Sequence, residues 1–245
     1  MTTLRYYCKL NTIDVVTLLK KTNFSFENEK KFDDQFLRLF KADRKLLFGN
    51  LEFKKVGFEV YSEFYKNEFI IKNAFINGKL MNSKAVCSEE YPLLGSRIDL
   101  ISINGKSIAY EIKTKYDTLK RLNKQLNDYS KCFEYVYVIC SESKLTKVMS
   151  QVPEFVGIYS YSDSTNKNIF VLRKDASYSP NINANSILRV LSATEKCKLF
   201  KTNVDSKIVE TYSFDKILFK FKSLLKRKYL KKSIQLRQES ISLVN

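Results

Sequence analysis

The chain has 245 residues, 44% of them hydrophobic, enough for a substantial core in one large domain or two small ones. It contains no histidine, which removes Ser-His-Asp and Cys-His catalysis and histidine-ligated zinc, so any enzyme chemistry falls to carboxylates, lysines and tyrosines. Lys and Arg number 43 against 26 Asp and Glu, a formal charge of +17 that points to a polyanionic partner, with a lysine-rich composition as the plain alternative.

No apolar run reaches the roughly 18–20 residues of a membrane span, and the N-terminus lacks a signal-peptide pattern, so the expected location is cytoplasmic, without a membrane partner. Five cysteines, none in a CxxC pair, read as reduced thiols.

Residues 1–66 read as largely helical. Phe32, Phe36, Leu39, Phe40, Leu46 and Leu47 recur at three- and four-residue spacing. A second helical pattern follows, with Ser62 as a cap, Tyr65, Phe69, Ile70, Ala74 and Phe75 on its apolar side, and Asn77-Gly78 as its stop. Glu68 lies within it.

"RIDLISI" and "SIAYEIKT" then flank Asn104-Gly105, a strong hairpin signal. Glu111 and Lys113, two apart on a strand, share a face. Whether Asp99 joins them depends on the turn. A two-residue loop pairs Asp99 with Tyr110 and turns it away. A three-residue loop over Ile103-Asn104-Gly105, with Gly105 left-handed, restores the common face. A shared site therefore predicts an odd register.

Asp117 to Tyr129 reads as a helix with Leu119, Leu122, Leu126 and Tyr129 on one side and Asp117 or Thr118 as cap. Gln125 and Tyr129, at i and i+4, share a face. "EYVYVICS" reads as a buried strand, completing a helix, strand, strand, helix, strand order of α/β type. Further on, "KLTKVMSQV" reads as a short helix, "FVGIYSYS" and "NIFVLRKDA" as strands, and "NANSILRVLS" and "SFDKILFKFKSLLKRKYLKKS" as helices. The last is basic. Its apolar side is expected to dock on the core, and its charges leave open a phosphate-tracking arm or a contact with anionic lipid.

Two carboxylates and an ammonium on one sheet face call for a binding partner. A divalent cation with a water would serve, and it suits phosphodiester cleavage. Asp99 and Glu111, with the backbone carbonyl of Ile112, are the candidate ligands. Lys113 is placed to orient the water or stabilise the phosphate.

Ile98-Asp99 and Glu111-Ile112-Lys113 resemble the signature of the PD-(D/E)xK nuclease superfamily. The motif straddles a predicted hairpin. Glu68 precedes it where many members carry a further acid, and Gln125-Leu126-Asn127-Asp128-Tyr129 is similar to the QxxxY element of the RecB-like branch. Isoleucine stands before Asp99 where the signature has proline. The stretch from Tyr65 to Cys140 also resembles a group of uncharacterised bacterial and phage proteins with this core.

The resemblance implies a restriction-endonuclease-like α/β core, a mixed central sheet flanked by helices, over 65–175. A helical region would precede it over 1–64 and a basic helical region follow over 176–245, an α+β C-terminal part. It implies a Mg2+- or Mn2+-dependent DNA nuclease using Asp99, Glu111, Lys113, Glu68, Gln125 and Tyr129, with RNA left open as substrate and a homodimer as an arrangement. Lys115, Arg121 and Lys124 are candidate phosphate contacts. The alternative is a non-catalytic nucleic-acid-binding or assembly module on the same scaffold.

Overall fold

The computed structural model describes residues 68–162 and 170–242, with the backbone alone over 239–242. The helical pattern read over 1–66, including Ser62 and Tyr65, lies outside the described residues.

Helix α1 (Glu68–Phe75) comes first, followed by strands β1 (Val86–Leu93), β2 (Ser96–Asn104) and β3 (Lys106–Lys113). Helix α2 (Leu122–Ser130) leads to β4 (Tyr135–Ser141), and α3 (Leu145–Gln151) to β5 (Gly157–Tyr161). After β6 (Phe170–Lys174) come α4 (Ala184–Arg189), α5 (Ala193–Phe200), α6 (Asp205–Thr211) and α7 (Phe214–Ser242). The six strands form one mixed sheet in sequence order. β3, β4 and β5 are parallel, and the other neighbouring pairs are antiparallel. The parallel pairs require crossovers, which α2 and α3 supply.

Each face of the sheet packs its own core. On one face Leu122, Leu126 and Tyr129 of α2 meet Ile101, Ala109 and Val138, together with Ile187, Phe200, Ile208 and Phe221 of α4 to α7. The C-terminal helices therefore share the sheet's core, and the boundary expected after residue 175 is not a packing boundary. On the other face Ile71 and Phe75 of α1 meet Leu100, Tyr110, Ile112 and Ile139. Phe75 has its ring 5.1 Å from those of Tyr110 and Phe170.

Three local expectations are corrected. Asn77-Gly78 does not stop the first helix. The chain continues through a widened π-type turn, Ile76–Leu80, because both of those apolar ends are buried. The helix read from Asp117 begins at Leu122. Asp117 instead caps a turn, with Oδ2 accepting from both the amide and the hydroxyl of Thr114 at 2.7 Å. β1 carried no strand signal, since Glu89-Glu90 and Pro92 break its alternation. Proline is tolerated there because β1 is an edge.

Helix α7 lies along that edge. Ile217, Leu218, Phe221, Leu225 and Leu236 are buried, so its apolar side docks as expected. Many of its polar groups are also bound within the fold. Lys222 donates to the Gly105 carbonyl at 2.6 Å and pairs with Glu134 at 3.0 Å. Lys228 pairs with Glu195 at 2.9 Å. Ser233 Oγ accepts from the Cys87 amide at 2.9 Å, and Arg237 donates to the Met81 and Ala85 carbonyls, both at 2.6 Å. Cys87, Cys132 and Cys140 are buried and Cys197 is exposed, and none of the four is in a disulfide. No helix among the described residues is long and apolar enough to cross a membrane.

A candidate active site where two strands part

The β2–β3 turn sets the site. Asn104 pairs with Lys106 around Gly105, whose φ of 74° is the left-handed value that glycine tolerates. The loop is odd, as a shared face requires, but consists of one residue rather than three. The ladder runs to Leu100–Tyr110 and puts Asp99 level with Glu111. Beyond that pair the strands separate, and Asp99 Oδ2 spans the gap to accept the Ile112 amide at 2.6 Å. A third acid joins from β1. Glu89 pairs with Leu100 and Tyr91 with Ile98, so Glu90 stands opposite Asp99. Glu90 has φ of 53°, a costly conformation for a residue with a Cβ, while the ladder keeps its register on either side.

These groups line a cleft of about 550 Å3, with Glu68, Glu90, Asp99, Glu111 and Lys113 on its walls and Arg97, Arg121, Lys124 and Gln125 around them. Glu111 and Lys113 are buried and lie 2.5 Å apart, Nζ to Oε1. Tyr129 donates to Glu111 Oε2 at 2.6 Å and reaches the Arg97 carbonyl at 2.7 Å. Gln125 Oε1 accepts from Lys113 at 3.3 Å, so both expected residues of α2 meet the pair. An ammonium has three protons, and two are placed by Glu111 and Gln125, leaving one for a ligand in the cleft.

A second group lies beside the first. Glu68, Glu90 and Asp99 bring carboxylate oxygens within 4.8 Å of one another. Buried Lys72 answers them, at 3.4 Å from Glu68, 3.3 Å from Glu89 and 2.9 Å from Glu90, while Arg97 pairs with Glu90 at 2.9 Å. Burial alone would lower the Lys72 ammonium, but its acidic neighbours outweigh that and raise it above the usual lysine value. Asp99 is pushed up to about 8, first by burial, then by the charges of Glu111 and Glu68. The Ile112 amide and Lys113 offset only part of this. Burial also raises Glu68. Lys72 opposes the shift, and Glu90 and Glu111 add to it.

Asp99 therefore sits in an excess of negative charge. The donors are all hard oxygens, the set that Mg2+ or Mn2+ takes, so the residues present fit such an ion. The expected ligand set differs in detail from the geometry. Glu111 turns both oxygens to Lys113 and Tyr129, whereas Glu68 and Glu90 approach Asp99. Of the candidate phosphate contacts, Arg121 and Lys124 line the cleft. Lys115 does not: it is exposed, with Nζ 5.0 Å from the Tyr116 ring centroid.

Sequence reasoning missed Lys72, Glu90 and Arg97. The i,i+4 spacing of Glu68 and Lys72 was a readable signal. Glu90 was not readable without the β1–β2 register.

Fold and cleft define a mixed α/β protein with an acid-and-lysine site at the mouth of its sheet. A family model described as Bacteriophage P4 protein cII matches residues 61–244, and the chain belongs to that family. A curated relative, protein cII of Enterobacteria phage P4, is 35% identical over 68 residues, which are 28% of this chain. The match spans only about a quarter of that relative's length (26%). A solved protein of unknown function from Silicibacter pomeroyi is 12% identical, with a TM-score of 0.37 over 47% of this chain and 75% of its own.

Proposed function

We propose that this protein is a divalent-metal-dependent nuclease of the PD-(D/E)xK type that hydrolyses phosphodiester bonds in DNA. The observation that carries the reading is the register that sets Asp99 level with Glu111, with Lys113 on the same face and bonded to it. Asp99 and Glu111 would hold the ion, with the Ile112 carbonyl and Glu68 as further oxygens. A bound Mg2+ or Mn2+ would supply Lewis-acid polarisation of the phosphate and a more acidic water.

The remaining work falls to the chain's own side chains. Lys113 offers its third proton to a non-bridging phosphate oxygen, where charge builds as the phosphorus becomes five-coordinate. Gln125 and Glu111 fix the direction of that proton. Tyr129 holds Glu111 and ties α2 to β2 through the Arg97 carbonyl. Arg97 and Arg121, at the rim, suit phosphates on either side of the scissile bond.

The test is a metal-titrated assay on linear, circular, single-stranded and branched DNA, with RNA in parallel. Asp99→Asn, Glu111→Gln and Lys113→Ala should each lower cleavage at least about 10²-fold while the fold survives. Robust cleavage in excess EDTA, or by Glu111→Gln, defeats the reading. One observation favours a second reading, a nucleic-acid-binding module without turnover: both Glu111 oxygens already have partners. Salt-sensitive DNA binding with no cleavage under Mn2+ would select it.

A further inference from the structure

We propose that a second groove, opening off the cleft across Asp117, carries the sugar–phosphate backbone of the nucleic acid beyond the bond that is cut. The proposal rests on reading the cleft as a phosphodiester site. The groove is about 720 Å3, and Asp117 lines both cavities. Its walls carry Lys120, Lys144 and Lys147, with the amides of Asn123 and Gln151 between them.

Its one acid, Asp117, is committed to the amide and hydroxyl of Thr114. Lys144 donates to the Asp117 carbonyl, which fixes the divide between the cavities. Lys120 and Lys147, like several other surface lysines, have no carboxylate partner among the described residues; what sets them apart is that they line this groove.

Consecutive residues straddle the divide. Arg121 faces the cleft and Lys120 the groove. Unpaired cations on both sides of a shared wall, with amide donors between them, suit a chain of phosphates passing from one cavity to the next. A compact anion would fill one cavity and ignore the other.

The experiment measures binding of the full-length chain to fluorescent oligothymidylates, from a trinucleotide upwards, in EDTA at several salt concentrations. Lys120→Ala/Lys147→Ala should flatten the slope of log affinity against log salt by about 1.4, two contacts at roughly 0.7 each on single-stranded DNA. It should weaken long oligomers while leaving the trinucleotide unchanged. Lys207→Ala/Lys226→Ala, a pair lining neither cavity, should leave the slope alone.

An unchanged slope in the groove variant, an equal loss in the control pair, or no binding by the wild type overturns the proposal. A protein that shows the slope change but never cuts DNA keeps the groove and loses the nuclease reading. One that cuts DNA without the slope change loses the groove alone.

Discussion

The hydroxyl of Tyr129 lies 2.6 Å from Glu111 Oε2, joining the core of α2 to the buried acid of β3. It also reaches the Arg97 carbonyl at 2.7 Å, so one side chain ties together β2, β3 and α2 at the floor of the cleft. Tyr129→Phe keeps the ring in its core position and removes the hydroxyl's contacts, including the one it accepts from Gln125 Nε2 at 3.5 Å. If the cleft cleaves phosphodiesters as proposed, cleavage should fall about 10- to 100-fold, the range for losing a group that orients a metal-holding residue. Stability should fall by about 1–2 kcal/mol, since a buried carboxylate loses a donor. Single-turnover cleavage and urea melts read the two effects separately.

Lys72→Met tests the cation among Glu68, Glu89 and Glu90. The ammonium is buried while its partners are partly exposed, so the loss belongs at the low end for a broken buried pair, about 3 kcal/mol near neutral pH. The deficit should shrink as pH falls, because burial holds the Glu68 carboxyl above its usual value and its charge is lost early. Chemical denaturation at pH 7 and pH 4 gives the comparison. A deficit that does not change with pH would argue that packing, not charge, dominates.

Asp128 gives a second pH signature. Burial pushes its carboxyl up, but the Ser96 hydroxyl at 2.6 Å and the Lys124 ammonium at 2.9 Å, aided by Lys131, pull it below the usual aspartate range. A depressed folded-state value means that stability is gained above the unfolded value near 3.9 and lost as pH falls through the folded one. Asp128→Asn should therefore cost about 1 kcal/mol at pH 7, discounted for exposed Lys124, and progressively less as pH falls through the folded value. The Ser96 bond also anchors α2 to the β1–β2 hairpin, so the variant should loosen the placing of Gln125. Paired melts of both proteins across that range decide the sign.

Gly157 is required for space. A Cβ there would stand 2.2 Å from Tyr137 Cε1 and 2.8 Å from the Ala176 amide nitrogen. Gly157→Ala should destabilise by about 1–3 kcal/mol, the usual cost of overpacking, because backbone on one side prevents an easy retreat. Thermal melting of the two proteins checks it.

The parts of this fold that were legible are those set by local chemistry. Asn104-Gly105 announces the β2–β3 hairpin, unbroken apolar sequence announces β4, and i,i+4 spacing puts Gln125 and Tyr129 on one face. The odd register followed from demanding a common face for Asp99 and Glu111. β1 was hidden because its strand character comes from partners far away in sequence. Cys87, for example, is bonded to Ser233, 146 residues on. α5 has a readable start in the Ser192–Glu195 capping box. The Lys72–Glu90 contact needed α1 and β1 to be placed first, and no local pattern supplies that.

Because Ser233 takes up the Cys87 amide while Arg237 occupies the Ala85 carbonyl, α7 blocks strand addition at the start of β1. Among the described residues, the sheet order ends at β6 on its other side. There β6 presents exposed Val171 and Leu172. Trimming α7 before Ser233 would uncover the Cys87 amide and the Ala85 carbonyl, main-chain groups that a foreign strand pairs with readily.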